Sequence, residues 1–512
     1  MTTFEPIPVA PVDIHNQKLI DYVHPTDWVN PQPADVYDLV VIGAGTAGLV
    51  VAAGAAGLDL GLKVALVERH LMGGDCLNFG CVPSKTIIRS ARVIGEIWRG
   101  RELGISAEQV EIDFGSIMER MRRIRSEISH NDSAQRFQQL GVDVFFGEGQ
   151  FTSNDTVTVG DRLLKFKKAV IATGARASIP QIPGLIEAGY LTNETVFSLT
   201  ERPQRLAVIG GGPIGCELAQ TSQRLGCEVT LLHRSSHILN KEDPDAAEIL
   251  QQVLVTEGVN LVLGCELQQV SLTSAGKTIT YRQNERVETI TVDQILLGTG
   301  RKSNIESLNL EQVGVDYDAK GLKVNDYLQT TNPKIYGAGD VCMEWQFTHA
   351  ADAAARIVIK NTLFSPFGLG KSKLSSLVMP WVTYTDPEIA HVGLSEAAAQ
   401  LQGIESETIK ISMANVDRAI TDGEPQGFVK LIYQKGTDKI IGATIVASHA
   451  GEIISEVTTA MVNKIGLSKL SSVIHPYPTQ ADGIKKAADA YRRTLLTPRT
   501  KKILGLLTKF SG

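Results

Sequence analysis

The stretch GGDCLNFGCVPSK, residues 73–85, organises the rest of this 512-residue chain. It separates Cys76 and Cys81 by four residues, with glycines before and between them and Pro-Ser-Lys after them. Such a pair can close a small disulfide loop at the mouth of a helix, where unpaired backbone N–H groups favour a thiolate. Zinc would need two further ligands at fixed spacing, and none lies nearby in the sequence. The stretch therefore predicts a redox centre, with metal ligands or two unrelated buried thiols as the alternatives.

A dinucleotide site is predicted directly upstream. The apolar run YDLVVI (37–42) has strand character, and the turn GAGTAG (43–48) leads from it into an alanine-rich helical stretch. In a strand, turn and helix of this kind, backbone N–H groups and the helix N-terminus hold a pyrophosphate. The next strand ends in Glu68, whose carboxylate is placed to bind a ribose hydroxyl. The predicted ligands are Gly43, Gly45, Gly48 and Glu68.

A second unit of the same design lies in the middle of the chain. The strand-like run Arg205–Ile209 turns through GGGPIG (210–215) into another helix. The segment GTGR (298–301) echoes ATGA (172–175), so the chain contains an internal repeat of one folding unit. Two dinucleotide sites in one chain imply electron transfer between two cofactors.

The redox stretch resembles the active-site signature of the class I pyridine-nucleotide disulfide oxidoreductases, which include lipoamide dehydrogenase, glutathione reductase and mercuric reductase. The other motifs extend this resemblance over most of residues 37–500. It implies an α/β fold with two Rossmann-like dinucleotide-binding domains and a C-terminal α+β dimerisation domain. It also implies FAD in the first site, a nicotinamide in the second, and a homodimer with a shared active site.

The repeat and the resemblance together predict the domain boundaries. They are an N-terminal arm (1–36), an FAD-binding domain in two parts (37–190 and 300–371), an NAD(P)H-binding domain (191–299) and a dimerisation domain with a tail (372–512). The prolines of the arm predict an extended conformation, and the arm lacks the pattern of a signal peptide. The basic amphipathic tail, residues 492–512, is predicted to be a solvated, structural helix.

The resemblance also implies roles for individual residues. Cys81 would be the charge-transfer thiolate nearer the flavin, and Cys76 the interchange thiol that attacks substrate. Lys85 would pair with Glu217, because an uncompensated buried charge near the flavin costs several kcal/mol. Asp340, at the end of NPKIYGAGD (332–340), would bind the ribityl chain of FAD. The other predicted cofactor ligands are Gly74, Thr173, Gly174, Gly210, Gly212, Gly215, Gly300 and Arg301.

The choice of nicotinamide depends on His233. Aligning the repeat on itself places His233 opposite Glu68, so the second site lacks a ribose-binding carboxylate. A carboxylate would repel a 2′-phosphate, whereas His233 and Arg234 could accommodate one. The sequence therefore predicts NADPH. NADH is the alternative, because an arginine at this position is not specific to a 2′-phosphate. Arg69 follows Glu68 in the FAD repeat just as Arg234 follows His233 in the second one.

The segment IHPYPTQAD (474–482) departs from two of these relatives. Lipoamide dehydrogenase and glutathione reductase carry a histidine immediately before its Pro-Thr, with a glutamate further on, as an acid–base pair lent by the partner subunit. Here Tyr477 occupies the histidine position and Asp482 the glutamate position, while His475 lies two residues earlier. An unperturbed tyrosine has a pKa near 10 and cannot do this proton work at neutral pH without help. Slow turnover of lipoamide and glutathione is therefore expected.

Mercuric reductase resembles this chain at Tyr477 and over residues 217–245. Those enzymes also use further cysteine pairs to hand over Hg(II), whereas here no cysteine precedes Cys76 or follows Cys342. We expect a mercuric reductase-like enzyme that passes electrons to a disulfide or a thiol-bound metal, without a resident metal ion. The alternatives are a low-efficiency Hg(II) reductase, a dihydrolipoamide dehydrogenase or other disulfide reductase that uses Tyr477 or His475, and a non-catalytic flavoprotein redox sensor.

The composition of the chain argues against nucleic acid as a partner and against a membrane-spanning segment. The chain is 43% hydrophobic, with 47 glycines and a net charge of -6, which is typical of globular α/β proteins and gives no basic surface for nucleic acid. Glycines and an aspartate interrupt the apolar run 39–61, so no membrane span is predicted. One close cysteine pair among six suits a reducing cytosol. The expected partners are a small-molecule electron acceptor and a second copy of the chain, in the cytoplasm.

Overall fold

The computed structural model describes residues 8–107 and 109–510. Residues 1–7 of the predicted arm and residues 511–512 of the predicted tail lie outside the described residues. Two domains are built on parallel sheets, and a third, at the C-terminal end, is built on an antiparallel sheet. This architecture confirms the predicted α/β fold class with two Rossmann-like units and a C-terminal α+β domain.

The N-terminal arm contains a helix, α1 (Ile14–Val23), so the expectation of an extended arm is wrong over these residues. Asp13 starts the helix, because its carboxylate accepts a hydrogen bond from the backbone N–H of Asn16 at 2.8 Å. The prolines of the arm stand outside the helix, where they do not interrupt it. Leu19 and Val23 are buried in the core of the first nucleotide-binding domain, which ties the arm to that domain.

The first nucleotide-binding domain starts with the predicted strand, turn and helix. Its elements are β1 (Tyr37–Ile42), α2 (Thr46–Ala56), β2 (Val64–Glu68), α3 (Gly74–Asn78), α4 (Cys81–Arg99), α5 (Phe114–Ile128), α6 (Ala134–Gln139), β3 (Val142–Phe146), β4 (Gly149–Ser153), β5 (Thr156–Val159), β6 (Arg162–Ile171), β7 (Ala175–Ala177), α7 (Leu185–Ala188) and α8 (Asn193–Val196). The strands β3, β2, β1 and β6 lie side by side in parallel. β1 and β2 are almost wholly buried, which explains their unbroken apolar sequences.

The second nucleotide-binding domain repeats this plan. The elements that follow are β8 (Arg205–Ile209), α9 (Pro213–Arg224), β9 (Glu228–His233), α10 (Pro244–Thr256), β10 (Asn260–Leu263), β11 (Glu266–Thr273), β12 (Gly276–Gln283), β13 (Arg286–Val292), β14 (Gln294–Leu297), β15 (Arg301–Ser303), β16 (Tyr317–Asp318), β17 (Gly321–Leu322), β18 (Ile335–Gly337) and α11 (Thr348–Leu363). β10, β9, β8 and β14 form a parallel sheet. β15 then pairs with β7, and β18 pairs with β6, so the chain returns to the first domain.

The C-terminal domain is an antiparallel sheet covered by helices. Its elements are β19 (Pro380–Thr383), β20 (Glu388–Gly393), α12 (Glu396–Leu401), β21 (Ser406–Ser412), α13 (Asp417–Thr421), β22 (Phe428–Gln434), β23 (Ile440–Ala447), α14 (Ala450–Val462), α15 (Leu467–Leu470), α16 (Asp482–Thr494) and α17 (Pro498–Phe510). The strand order is β19-β20-β23-β22-β21. Among the described residues, no helix is long and apolar enough to cross a membrane, and no cluster of three or more His, Cys, Asp or Glu side chains could hold a metal ion.

Candidate active site

A cavity of 2010 Å³ is lined by residues of all three domains. Cavities that hold one small ligand have volumes of about 300–1,000 Å³, so this one has room for two dinucleotides. Most of the sequence-predicted site residues line it: Gly43, Gly45, Glu68, Gly74, Cys76, Cys81, Lys85, Thr173, Gly174, Gly210, Gly212, Glu217, His233, Arg234, Gly300, Arg301 and Asp340. Four predicted residues do not: Gly48, Gly215, Tyr477 and Asp482.

The two glycine turns leave their backbones open to this cavity. Gly48 and Gly215 lie behind the turns, where a Cβ would come within 1.8 Å of the Gly43 carbonyl oxygen and 1.9 Å of the Gly210 carbonyl oxygen. They therefore allow helix and strand to pack closely. A Cβ on Gly212 would meet nothing within 4 Å. Neither α2 nor α9 has a side-chain cap, so the N–H groups at both helix starts are available to a pyrophosphate.

Glu68 and His233 occupy matching positions at the ends of β2 and β9. The carboxylate of Glu68 accepts the backbone N–H of Ala44 at 2.7 Å, and Nδ1 of His233 accepts the matching N–H of Gly211 at 3.0 Å. The imidazole proton is therefore on Nε2, which lies 3.1 Å from Oδ1 of Asn240. Burial lowers the pKa of His233, so the ring is neutral near pH 7. Both ring nitrogens are engaged within the chain, and His233 replaces a carboxylate without replacing its charge.

Because His233 is neutral, the positive charge at the second dinucleotide site comes from other side chains, first of all Arg234. Its side chain is exposed, lines the cavity, and forms no ion pair with any residue in the described part of the chain. Lys241 also lines the cavity and is exposed. A 2′-phosphate at the end of β9 would therefore meet Arg234 and Lys241, and the neutral ring of His233 would not repel it.

The redox pair divides into a thiolate and a thiol. Cys76 lies in α3 and Cys81 begins α4, and the structure holds both as free thiols. They hydrogen-bond each other, and Oγ1 of Thr348 lies 3.3 Å from Sγ of Cys81. The bond to Cys76, helped by Thr348 and the charge of Lys85, lowers the pKa of Cys81 to about 6 although burial opposes this. The bond to Cys81 and burial raise the pKa of Cys76.

Lys85 lies one turn beyond Cys81 and is fixed from two sides. Its Nζ is 2.8 Å from Oε2 of Glu217, and 4.6 Å from the ring centroid of Tyr384 in a cation–π contact. Burial acts to lower the pKa of Lys85, but Glu217 outweighs burial and the pKa is raised. The other oxygen of Glu217 accepts the backbone N–H of Tyr384 at 2.9 Å. The ammonium is therefore held charged close to Cys81.

Asp75, next to Cys76, belongs to a network at the predicted FAD end of the cavity. Its Oδ2 lies 3.0 Å from Nη1 of Arg301, and Asn193 donates to its Oδ1 at 2.7 Å. Nε of Arg301 lies 3.4 Å from Oδ2 of Asp340 but makes no hydrogen bond within the described chain. The network anchors the redox loop and leaves a buried donor beside the cavity.

Sequence reasoning missed an aromatic wall of the cavity. The ring of Trp381 lies 6.4 Å from that of Phe347 and 4.4 Å from that of His391, and its indole N–H donates to Oε1 of Glu242 at 2.7 Å. Burial raises the pKa of Glu242 to about 7. All four residues line the cavity. None of them belongs to a motif, so no local signal could have found them, and the same holds for Thr348 and Tyr384.

Tyr477 and Asp482 lie away from the cavity of their own chain. The side chain of Tyr477 is 76% exposed, and its hydroxyl donates to Oδ2 of Asp417 at 3.0 Å. This hydrogen bond raises the pKa of Tyr477. Asp482 forms an ion pair with Lys486 at 3.3 Å, and it acts on Tyr477 only through its charge, which raises the pKa of Tyr477 less than Asp417 does. The carboxylate beside the tyrosine is therefore Asp417, which the sequence did not indicate.

His475 is held inside the C-terminal domain. Its Nε2 lies 2.9 and 3.0 Å from the two carboxylate oxygens of Glu456, and its Nδ1 lies 3.3 Å from the carbonyl oxygen of Val473. The side chain is only 6% exposed. Both ring nitrogens are thus engaged, and the ring is not available to a substrate.

Comparison with known proteins agrees with this geometry. The sequence profile of the pyridine nucleotide-disulphide oxidoreductase family matches residues 37–355, and the profile of its dimerisation domain matches residues 379–488. A mercuric reductase from Staphylococcus aureus is 38% identical over 453 residues, which cover 88% of this chain and 82% of the relative. A dihydrolipoyl dehydrogenase from Chlamydia trachomatis is 33% identical over 458 residues, which cover 88% and 95%.

Solved structures show the same likeness. The Cu(II) complex of the HOCl-induced flavoprotein disulfide reductase RclA from Escherichia coli superposes with a TM-score of 0.77 and 26% identity, over 88% of this chain and 98% of that one. LpdA from Mycobacterium tuberculosis superposes with a TM-score of 0.79 and 27% identity, over 90% and 100%. The sequences and folds of these relatives therefore agree on one family, while their names do not agree on one substrate.

Proposed function

This chain belongs to the pyridine nucleotide-disulphide oxidoreductase family, and we propose that it passes electrons from NADPH through FAD to the Cys76–Cys81 pair and on to a thiol-bound metal ion or a disulfide. The family binds FAD and depends on a pyridine nucleotide. The observation that carries the proposal is the redox pair itself, a low-pKa thiol hydrogen-bonded to a high-pKa thiol in a cavity lined by two dinucleotide turns.

The residues at the first turn fit FAD. The uncapped start of α2 suits the pyrophosphate, and Glu68 suits a ribose hydroxyl. Asp340 and the unsatisfied Nε of Arg301 adjoin the same part of the cavity and suit the remaining polar groups of the cofactor. Bound there, FAD would relay two electrons between the nicotinamide and the thiol pair.

The two cysteines have different tasks in this proposal. With a disulfide substrate, Cys76 passes its proton to the thiolate of Cys81 and attacks one substrate sulfur, and the other sulfur leaves as a thiolate that takes this proton from Cys81. Cys81 then displaces the remaining half of the substrate from Cys76. The Cys76–Cys81 disulfide forms and a second thiol is released, so the pair loses the two electrons that the substrate gains.

The surroundings of Tyr477 favour a metal acceptor over a disulfide. A metal ion such as Hg(II), bound between two thiolates, takes up two electrons and leaves as the uncharged metal, so no leaving group must be protonated. Tyr477 has a raised pKa, and His475 is buried with both nitrogens engaged. Neither supplies the near-neutral acid that a disulfide substrate needs.

We propose further that the chain works as a homodimer in which Tyr477 faces the active site of the second copy. The match to the family's dimerisation domain supports the homodimer. Tyr477 is exposed and lies outside the cavity of its own chain, which supports a role across the interface.

A panel of acceptors tests the proposed function. Purified, FAD-loaded protein is supplied with NADPH or NADH and with a Hg(II)–thiol complex, glutathione disulfide or lipoamide, and nicotinamide oxidation is measured. We expect the thiol-bound Hg(II) to be reduced faster than either disulfide, and Cys76→Ser to abolish the activity. Failure of every acceptor, with the flavin still reducible by NADPH, would favour a non-catalytic redox sensor.

The preference for NADPH predicts a large effect of Arg234→Glu. Losing a charged partner of the 2′-phosphate costs on the order of 1.5–3 kcal/mol, so the KM for NADPH should rise by about 10- to 100-fold while that for NADH changes little. Steady-state kinetics with both coenzymes measures this. Arg286→Glu, an exposed charge reversal on β13, is the matched control. The assignment fails if wild-type protein reduces its flavin faster with NADH at every concentration.

A further inference from the structure

The C-terminal helix α17 exposes an apolar side that the rest of the described chain does not cover. Every residue from Lys501 to Lys509 is exposed. Ile503, Leu504 and Leu506 are 59%, 46% and 50% exposed, although their side chains are large and apolar. Their spacing places them on one side of the helix, while the three lysines 501, 502 and 509 share the other side. α17 is therefore an amphipathic helix with its apolar side turned to solvent.

A helix of this length needs a surface to bind. Isolated helices shorter than roughly 12–15 residues are marginal in water, and most helices in proteins are stabilised by burying one apolar side. α17 has 13 residues and includes Gly505, a weak helix former. The described part of its own chain does not supply this surface, so we look for it in another molecule.

The positive charge of α17 and of the residues before it indicates that the surface it binds is negatively charged. Residues 492–509 contain six basic residues and no acidic one, namely Arg492, Arg493, Arg499, Lys501, Lys502 and Lys509. The whole chain has 50 basic and 56 acidic residues, so 44 basic residues face 56 acidic ones outside the segment. The positive charge is thus concentrated beside the exposed apolar side, on a protein that is otherwise acidic.

The family's dimerisation domain does not account for α17. The profile of that domain ends at residue 488, ten residues before the helix begins at Pro498. A partner that buries leucines and pairs with many cations at once is an anionic lipid surface, where apolar side chains enter the acyl boundary and lysines and arginines meet phosphate headgroups.

We propose that α17 docks this enzyme on the anionic surface of a lipid bilayer, as a helix that lies in the interface without crossing it. The segment supplies both signals that stable peripheral binding requires, an apolar side and a polybasic patch. The inference does not depend on the proposed electron acceptor, since no residue of α17 lines the catalytic cavity.

Vesicle binding by the full-length protein tests this proposal. Protein is sedimented with vesicles of phosphatidylcholine alone or of phosphatidylcholine with phosphatidylglycerol. We expect binding to the anionic vesicles only, and at least ~100-fold weaker binding for the triple variant Lys501→Glu, Lys502→Glu and Lys509→Glu. The double variant Ile503→Ser and Leu506→Ser should bind more weakly as well, because it removes two large apolar side chains and leaves every charge of the helix unchanged.

The matched control is Lys320→Glu, Arg286→Glu and Lys464→Glu, which reverses three exposed charges outside the segment. It should bind anionic vesicles nearly as well as wild type. If the control lost as much vesicle binding as the α17 triple variant, binding would depend only on the net charge of the protein, and the proposal would be overturned. Absence of wild-type binding would also overturn it. So would conversion of the variants to monomers in sedimentation velocity, because the second copy of the chain would then be the partner of α17.

Discussion

Replacing Cys81 with serine should abolish the long-wavelength charge-transfer absorbance of the partly reduced protein, whereas Cys76→Ser should keep it. This absorbance requires a thiolate against the bound flavin. The structure gives Cys81 the low pKa of the pair, because Cys76 and Thr348 hydrogen-bond to it and Lys85 lies nearby. The pKa of Cys76 is raised, so Cys76 contributes no thiolate near neutral pH. Turnover with any acceptor should fall to background in both variants, since each removes one half of the redox pair.

The pH dependence provides a second readout of the same assignment. A thiol with a pKa of about 6 is a thiolate above that pH and is protonated below it. The absorbance of the reduced wild-type protein should therefore be lost as the pH falls through about 6. Lys85→Gln should move this loss to higher pH, because it removes a positive charge that favours the thiolate.

Cys227→Ala serves as the matched control for the cysteine variants. Cys227 is buried in the core of the second nucleotide-binding domain, and burial raises its pKa to about 11. Its removal should leave both the absorbance and its pH dependence unchanged. An absorbance that survives Cys81→Ser, or disappears in Cys76→Ser, would reverse the roles of the two cysteines.

Local patterns were enough to predict the frame of the site. The glycine turns, the acidic residue after β2 and the cysteine pair each depend on neighbours within a few residues, and each has a fixed consequence for the backbone. The alignment of the repeat even placed His233 correctly opposite Glu68. What it could not show is that His233 accepts a hydrogen bond from the backbone of the turn, while Arg234 lies exposed at the cavity.

The missed residues reach the site through distant parts of the chain. Thr348 contacts Cys81 across 267 residues, and the indole of Trp381 meets Glu242 across 139. No periodicity or motif links such pairs, because only tertiary packing brings them together. The helix in the N-terminal arm was missed for a different reason, since its prolines outweighed the capping residue Asp13.

Tyr477→His should raise turnover of glutathione disulfide or lipoamide while leaving or lowering Hg(II)-dependent oxidation of NADPH. A disulfide substrate releases a thiolate that must be protonated, and a histidine with a pKa near 6.5 suits this task. Tyr477 does not, because its hydrogen bond to Asp417 raises its pKa. The gain should reach up to roughly 10²–10⁴-fold, the usual contribution of general acid–base catalysis.

The predicted gain in disulfide turnover from Tyr477→His should depend on Asp417. Its carboxylate lies 3.0 Å from the hydroxyl oxygen of Tyr477, so it is placed to pair with an imidazole introduced there and to orient it. Asp417→Asn should therefore reduce the gain in the Tyr477→His background, while changing little in the wild-type background with Hg(II). Activities with both acceptors are measured at several pH values in the four proteins, and the gain should follow the ionisation of the new histidine.

Tyr477→Phe tests whether residue 477 occupies the acid–base position or whether another group supplies the proton. It removes the hydroxyl and keeps the ring, so disulfide turnover should stay low if tyrosine contributes no acid. If wild-type protein already reduces a disulfide rapidly and Tyr477→Phe is unimpaired, Tyr477 does not occupy the acid–base position. The proton would then have to come from another group in the cavity, and Glu242 is the candidate, because burial raises its pKa to about 7 and Oε2 makes no hydrogen bond within the described chain. A further fall in disulfide turnover in Glu242→Gln would then identify Glu242 as the acid.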